Sequence, residues 1–404
     1  MSRVGSPVPG HPILDEIEAA DRSVGFARRA AEIDRSPEFP WSEFRELGRR
    51  GLLGLRTPTA SGGRGLPMTA AAVGLHELAR RGGTMFGKLS LQPDFSSVLD
   101  EVGSKELREE YFRPLVRGEV LIGNQITEPG AGSDAAAISM RAEKHGDGYL
   151  LDGEKSQVAF ASDAGAALVY ARTGGPDRGA SGITAFLVPQ DLPGIERTVE
   201  GDLGERWMRR GRVTYRQVRV EARRRIGEEG HGFEYLQREL TRERLLLGAV
   251  YLGVARASLE ETVERAGVRT SFGRPIGRHE AVGFALVEDW ARLDAAWLYT
   301  YRALERFESG VDVDAEAALS KWMATEVALT AIDHAIQFHG GEGYSNRLPY
   351  ERRWRDVRSG ALAHGPSEIM HLIAVRALWP SAGSGSRAGS LSSDRGRGSA
   401  DKSR

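Results

Sequence analysis

Cysteine is absent from the 404-residue chain, and this absence excludes several kinds of chemistry. Without thiolates the protein has no disulfide framework, no cysteine-ligated zinc or iron–sulfur site and no cysteine nucleophile. Long apolar runs are also missing, since no stretch approaches the roughly 20 residues that a membrane-spanning helix requires. The N-terminal dozen residues lack the apolar core of a secretory signal. We therefore expect a cytoplasmic protein with no membrane span and no bound metal.

An excess of charge of either sign is missing as well. Lysine and arginine number 55 and aspartate and glutamate 56, which gives a formal net charge of −1. This balance provides no electrostatic reason to expect a nucleic-acid partner. With 40% apolar and 27% charged residues, the composition is that of an ordinary globular protein with a sizeable core.

The pattern of apolar residues divides the chain into four segments. Residues 12–122 are predicted to form an N-terminal α-helical domain, because apolar positions recur there at helical spacing. Residues 123–224 contain short alternating segments separated by glycine, a pattern typical of β-strands. Helical periodicity returns over residues 225–380 and predicts a four-helix bundle. Residues 381–404 are rich in serine and glycine, and are predicted to be a disordered tail.

Three short motifs carry the chemical signal. In TEPGAGSD, residues 127–134, the glycines let the backbone approach a planar ligand, and Thr127 and Ser133 add hydroxyl groups. The basic turn RTSFG, residues 269–273, suits a pyrophosphate. The run QFHGGEGY, residues 337–344, ends an apolar helix. Taken singly, each motif is more often an ordinary structural feature. The first is then a glycine-rich turn, the basic turn a solvated loop and the third a helix C-cap.

Together, in this order and spacing, the motifs resemble the acyl-CoA dehydrogenase family over residues 12–378. The resemblance implies an α+β fold with an N-terminal all-α domain, a central β-barrel-like domain and a C-terminal four-helix bundle. It implies FAD bound between the β domain and the bundle. It also implies dehydrogenation of an acyl thioester, carried by CoA or an acyl-carrier protein, in which a carboxylate takes the Cα proton and flavin N5 takes the Cβ hydride. Electrons would then pass to a separate electron-accepting flavoprotein.

The resemblance also assigns roles to individual residues. Thr127 and Ser133 are expected to hydrogen-bond the flavin ring, and Ser133 to lie near the pantetheine of the substrate. Arg269, Ser271 and Phe272 are expected to reach the FAD pyrophosphate of a neighbouring subunit, which implies a homodimer or homotetramer. The expected cofactor-binding residues are Ile126, Thr127, Gly132, Ser133, Val158, Ala159, Arg269, Ser271, Phe272, Gln337, Gly340, Gly341, Pro366 and Glu368.

The catalytic base is where the chain departs from the family. Most members place a glutamate at the position of His364, and Pro366 replaces a threonine whose hydroxyl contact is lost. Some members carry the glutamate on an earlier helix, at the position of Glu243, and the following Arg244 matches a common family arginine that we expect at the substrate. Glu243 is the expected base, with a surface carboxylate as the alternative interpretation. His364 is either a second candidate base, since imidazole titrates near neutrality, or a bystander whose backbone N–H serves the thioester oxygen.

Two further departures keep other functions open. Gln157 stands where the family has a tryptophan, and Ala159 where a hydroxyl residue normally hydrogen-bonds flavin N5. With His364, they point towards relatives that act as flavin oxidases or monooxygenases and use dioxygen. A non-catalytic relative is the third alternative, and the retained TEPGAGSD motif argues against loss of the flavin.

Overall fold

The computed structural model describes residues 10–379, except for the side chains of Pro176 and Asp177, and the tail predicted over 381–404 lies outside this range. The N-terminal part is helical, as its periodicity predicts. Pro12 precedes the first helix, and the buried Ile13 and Ile17 recur at helical spacing on one face. The helices of this part are α1 (Ile13–Val24), α2 (Phe26–Arg35), α3 (Trp41–Arg49), α4 (Met68–Ser90), α5 (Ser97–Val102), α6 (Lys105–Leu107) and α7 (Arg113–Val116).

A single eight-stranded sheet follows the helices. Its strands are β1 (Ile122–Gln125), β2 (Arg141–His145), β3 (Gly148–Val158), β4 (Ala166–Arg172), β5 (Ile183–Pro189), β6 (Ile195–Val199), β7 (Gly211–Glu221) and β8 (Arg225–Ile226). They pair in the order β6-β7-β3-β2-β4-β5-β8, and β1 pairs in parallel with β4.

The end of β3 is irregular, at the segment expected to meet the flavin. The register of β3 against β7 shifts between Lys155 and Val158. On either side of Val158, Gln157 and Phe160 adopt positive φ angles of 56° and 60°. Such a bulge re-aims side chains near a binding site. Val158 still pairs with Gly211 as the last residue of β3, and Ala159 lies just beyond the strand.

The C-terminal part is a helical bundle built around one long helix. It consists of α8 (Gly232–Val268), the hairpin β9 (Thr270–Ser271) and β10 (Arg274–Pro275), α9 (Glu280–Glu308), α10 (Asp314–His339), α11 (Tyr350–Arg358) and α12 (Ser367–Leu378). Helix α8 packs against α4, α9 and α10. It is therefore buried on all sides over much of its length, rather than on a single stripe.

The order of helices, sheet and helices confirms the predicted α+β architecture. One detail differs from an ordinary core pattern. Phe284, Val287 and Leu298 share one face of α9, as their spacing predicts, but this face points outward and is exposed in the single chain. Within the described range, every helix is too short or too polar to cross a membrane.

A buried ion pair connects α4 to the sheet domain. Lys88 Nζ lies 2.5 Å from Glu205 Oε1, and both side chains are almost completely buried. The other carboxylate oxygen of Glu205 accepts a hydrogen bond from the Ser359 hydroxyl at 2.7 Å, so the C-terminal bundle joins the same contact.

Replacing Lys88 by methionine should lower the free energy of unfolding by about 3–5 kcal/mol, because it leaves Glu205 buried without its counter-charge. The exposed pair of Arg212 and Glu200 supplies the matched control, and Arg212→Met should cost less than about 1 kcal/mol. Denaturant unfolding followed by circular dichroism at one FAD concentration measures both. Equal losses in the two variants would contradict the structural role of Lys88.

Candidate active site

The TEPGAGSD loop is held in place by a buried carboxylate. Glu128 accepts the backbone N–H groups of Ser139 at 2.6 Å and Met140 at 3.0 Å. The Lys155 ammonium donates to Glu128 at 2.8 Å and to the Ile126 carbonyl at 2.9 Å. Although burial opposes it, Lys155 and these amides hold the pKa of Glu128 below its ordinary value. The carboxylate therefore stays charged and fixes the start of the loop.

The glycines of this loop leave space on its outer side. Glu128 and Ala131 exchange two backbone hydrogen bonds of 3.0 and 3.1 Å, which close a tight turn. A Cβ atom added at Gly130 or Gly132 would meet no described atom within 4 Å. Ser133 follows directly and is exposed, so the turn presents backbone and a hydroxyl group to an open surface.

The irregular end of β3 lies beside the same loop. The Ser156 N–H donates to the Thr127 carbonyl at 2.9 Å. Val158 is buried, whereas Ala159 is partly exposed and Gln157 is exposed. The structure therefore brings together the residues of the loop and of β3 that we expected to hold the flavin ring.

The two candidate bases are in contact. Glu243, on α8, is only 3% exposed, and its Oε2 lies 3.4 Å from His364 Nε2. The ring of His364 stacks on Phe95 with 5.4 Å between the ring centroids. The surface interpretation of Glu243 is therefore wrong, because its carboxylate lies inside the protein beside the imidazole.

Two basic side chains hold the backbone that carries His364. Its φ angle of 55° lies in the left-handed region, which is strained for a residue with a side chain. Arg244 Nε donates to the His364 carbonyl at 3.2 Å. Lys321 Nζ donates to the carbonyls of Ala363 and Gly365, both at 2.6 Å. Three consecutive carbonyl groups are thus bound, which keeps the imidazole turned towards α8.

Electrostatics distinguish the two candidate bases. Burial raises the pKa of Glu243 well above its ordinary value, and the charge of Glu239 raises it further. Glu239 lies one helical turn earlier and accepts the Val98 N–H at 2.8 Å and the Tyr170 hydroxyl at 3.2 Å, and burial raises its pKa to about 7. Burial and nearby cations lower the pKa of His364 well below its ordinary value. The carboxylate of Glu243 is therefore the stronger proton acceptor of the pair.

Phe95 links this pair to the flavin loop. The side-chain amide of Asn124, on β1, donates to the Phe95 carbonyl at 2.5 Å. Strand β1 leads directly into the TEPGAGSD loop, and the Phe95 ring covers His364. One residue therefore connects the loop to the candidate base.

The expected contacts to the distal half of FAD form a separate exposed edge. Phe272 is almost fully exposed on the β9–β10 hairpin, next to Arg269 and Ser271. Arg265, at the end of α8, contacts Glu342 at 2.9 Å and the His339 carbonyl at 3.4 Å. These contacts place the hairpin beside the end of α10, where Gln337, Gly340 and Gly341 are also exposed.

The last two expected residues lie at the start of α12. Pro366 is its N-cap and follows the segment that Lys321 holds, whereas Glu368 is exposed in its first turn. Sequence reasoning missed Glu239, Phe95 and Lys321. The spacing of Glu239 and Glu243 by four residues was a usable signal, since it places both carboxylates on one helix face.

Comparison with known proteins agrees with the fold. Three sequence families match in order: the acyl-CoA dehydrogenase N-terminal domain over residues 18–119, the middle domain over 123–218 and the C-terminal domain over 230–379. A 3-(aryl)acrylate reductase of Clostridium sporogenes is 33% identical over 85% of this chain and 92% of its own.

Solved structures share the fold over nearly their whole length. Butyryl-CoA dehydrogenase from Megasphaera elsdenii has a TM-score of 0.86 and 27% identity, covering 92% of this chain and 99% of its own. The prolyl acyl carrier protein oxidase AnaB has a TM-score of 0.84 and 26% identity, covering 92% of this chain and 100% of its own.

The geometry of the chain fits FAD. The open glycine turn admits a planar ring, hydroxyl groups of Thr127 and Ser133 stand at its ends, and Arg269 offers a cation to a phosphate at the exposed edge. The chain belongs to the acyl-CoA dehydrogenase family and is an FAD-dependent oxidoreductase of the kind that acts on CH–CH bonds.

Proposed function

We propose that the protein dehydrogenates the Cα–Cβ bond of an acyl thioester and that Glu243 is its base. The observation that carries this proposal is the buried contact between Glu243 and His364, at the position where the family usually has its glutamate. The Glu243 carboxylate, on α8, thus lies beside the position of the usual family glutamate. The acyl group is carried by CoA or by the phosphopantetheine of a carrier protein.

The proton step uses the raised proton affinity of Glu243. The carboxylate accepts the Cα proton, and burial makes it a stronger base than an exposed glutamate. His364 acts as a positioning residue, because its Nε2 lies against one carboxylate oxygen and its own low proton affinity keeps the ring neutral. The other groups of the site bind and orient the thioester.

The developing negative charge on the thioester oxygen requires hydrogen-bond donors. We assign the backbone N–H of His364 to this role, because Arg244 and Lys321 fix that backbone. Arg244 and Ser133 are the residues proposed to contact the substrate.

When bound, FAD supplies the acceptor for the hydride that leaves Cβ. Ile126, Thr127, Ser133 and Ala159 would hold the ring system, and the hairpin of Arg269 would reach FAD of a neighbouring copy. The exposed apolar face of α9 supports such a homodimer or homotetramer, because it offers apolar surface that a second copy covers. A separate flavoprotein is the proposed electron acceptor.

A flavin oxidase or monooxygenase is the second candidate. Ala159 offers no hydroxyl group to flavin N5, and Gln157 is exposed where the family has a tryptophan. The similarity to the fold of a prolyl acyl carrier protein oxidase also favours this candidate.

Glu243→Gln should slow anaerobic flavin bleaching by acyl thioesters about 10²- to 10⁴-fold, because the amide has no basicity. FAD should remain bound, as its visible spectrum shows. A panel of acyl-CoA and acyl-pantetheine thioesters is used, and stopped-flow absorbance gives the rates. His364→Ala is the matched variant and should slow bleaching less. Bleaching at the wild-type rate by Glu243→Gln, or inactivity of His364→Ala alone, would reject this assignment.

Glu239→Gln should move the pH dependence of bleaching to lower pH. The wild-type rate should rise with pH along a limb centred above the ordinary glutamate pKa of 4.5, since Glu243 must lose its proton before it can act. Removing the negative charge at residue 239 lowers the pKa of Glu243, because that charge favours its protonated form. Glu196→Gln, an exposed change on β6, should leave the profile in place. A shift to higher pH in Glu239→Gln is the opposite of what this electrostatic coupling predicts.

After anaerobic reduction by a thioester, an electron-accepting flavoprotein should reoxidise the enzyme faster than dioxygen does, with little peroxide formed. Ala159→Thr introduces the hydroxyl group that the family usually has. It should change the rate of reoxidation by no more than about tenfold, which is the effect of one neutral hydrogen bond. Stoichiometric peroxide points to the oxidase, and ¹⁸O from dioxygen in the product to the monooxygenase.

A further inference from the structure

A cavity lies away from the Glu243–His364 pair. Its volume is about 960 Å³, within the range of small-molecule sites. Helix α2, Arg206 of the sheet domain, the end of α10, the segment 344–349 and helix α11 surround it. None of its lining residues belongs to the TEPGAGSD loop or touches Glu243. Its walls carry six arginines, which are Arg28, Arg35, Arg206, Arg347, Arg352 and Arg355.

Arg352 is the unusual member of this set. The residue is only 7% exposed, and its Nη1 is completely buried. Across residues 10–379 no hydrogen bond or ion pair reaches its guanidinium. Three acids also line the cavity. Asp34 and Glu351 each lie 2.7 Å from Arg355, and the exposed Asp333 forms no ion pair with Arg352 among the described residues.

The remaining carboxylate near Arg352 neutralises the charge of its guanidinium only in part. Asp356, one helical turn later, accepts the Glu205 N–H at 2.6 Å. Burial raises the pKa of Asp356 to about 7, so near neutrality it is only partly charged. A buried guanidinium without a hydrogen-bonded counter-charge is unfavourable, and an anion in the cavity would remove that penalty.

The rest of the wall suits a nucleotide more than a simple ion. Arg206 and Arg347 are exposed at the rim and have no carboxylate partner among the described residues. Tyr344, 85% exposed, and Trp354 add aromatic side chains to the lining of the same cavity. Guanidinium groups bind phosphate in bidentate fashion, and aromatic rings stack on planar bases.

We propose that this cavity binds a nucleoside phosphate, with Arg352 paired to a phosphate group and the base against Tyr344 or Trp354. The site is additional to the dehydrogenase site and does not depend on the identity of its base. Because the cavity reaches Ile336 and Tyr344, it borders the edge of Gln337 and Gly340. The same chemistry would be offered by the ADP half of a neighbouring copy's FAD, and we assign the free nucleotide.

The test uses FAD-saturated enzyme, so that any FAD site is already filled. Isothermal titration with ADP should show one binding event per chain, and adenosine or inorganic phosphate alone should bind at least tenfold more weakly. Arg352→Gln should weaken ADP binding at least tenfold while FAD content and thioester-dependent bleaching stay unchanged. Arg216→Gln, an exposed change on β7, is the matched control and should bind ADP normally.

Several results would overturn the site. One is the absence of ADP binding to the holoenzyme, and another is an ADP affinity in Arg352→Gln equal to that of the wild-type enzyme. Loss of FAD from Arg352→Gln would instead assign the guanidinium to FAD binding. A changed assembly mass in Arg352→Gln with no ADP binding would assign the cavity to a subunit interface. If Arg352→Gln does not fold, Arg206→Gln at the rim of the cavity replaces it in the test. An unchanged ADP affinity in Arg206→Gln would also reject the proposal.

Discussion

The contact between the Glu243 carboxylate and the His364 imidazole is the constraint on which the site depends. It places a carboxylate inside the protein, where burial raises its proton affinity, and the backbone at residue 364 that carries the imidazole is left-handed. Such a conformation persists only when its surroundings impose it. Lys321 and Arg244 do so by donating to three consecutive carbonyl groups. Basic side chains of α10 and α8 thus fix the backbone of His364, just before α12 begins.

All three parts of the fold meet at this contact. The N-terminal part supplies Phe95, which stacks on the imidazole, and the sheet domain supplies Asn124, which holds the Phe95 carbonyl. Tyr170 of β4 reaches Glu239 on α8, one turn before Glu243. The sheet therefore presents its flavin loop and supports the base helix at the same time. This explains why α8 is buried on all sides, with acidic groups that an ordinary bundle core would exclude.

Local signals in the sequence were sufficient for the fold and for the flavin loop. The order of helical and alternating patterns predicts the three parts, and the glycines of TEPGAGSD predict a turn that the structure shows to be open on its outer side. Tertiary features were not readable. Whether Glu243 lies at the surface or inside depends on packing by α4 and α10, and its contact with His364 joins residues far apart in the chain. The outward face of α9 and the unpaired Arg352 are likewise invisible to periodicity, because a helical stripe does not tell which neighbour covers it.

The central claim is that Glu243 itself takes the Cα proton, and isotope exchange tests it most directly. A 3-thiaacyl-CoA has sulfur in place of Cβ and cannot lose a hydride, so only the proton step remains. With this compound deuterated at Cα, the wild-type enzyme in ordinary water should wash out the label, and His364→Ala should retain part of that exchange, as followed by NMR. Glu243→Gln with FAD bound should leave the label in place. Exchange by Glu243→Gln at the wild-type rate would contradict the account.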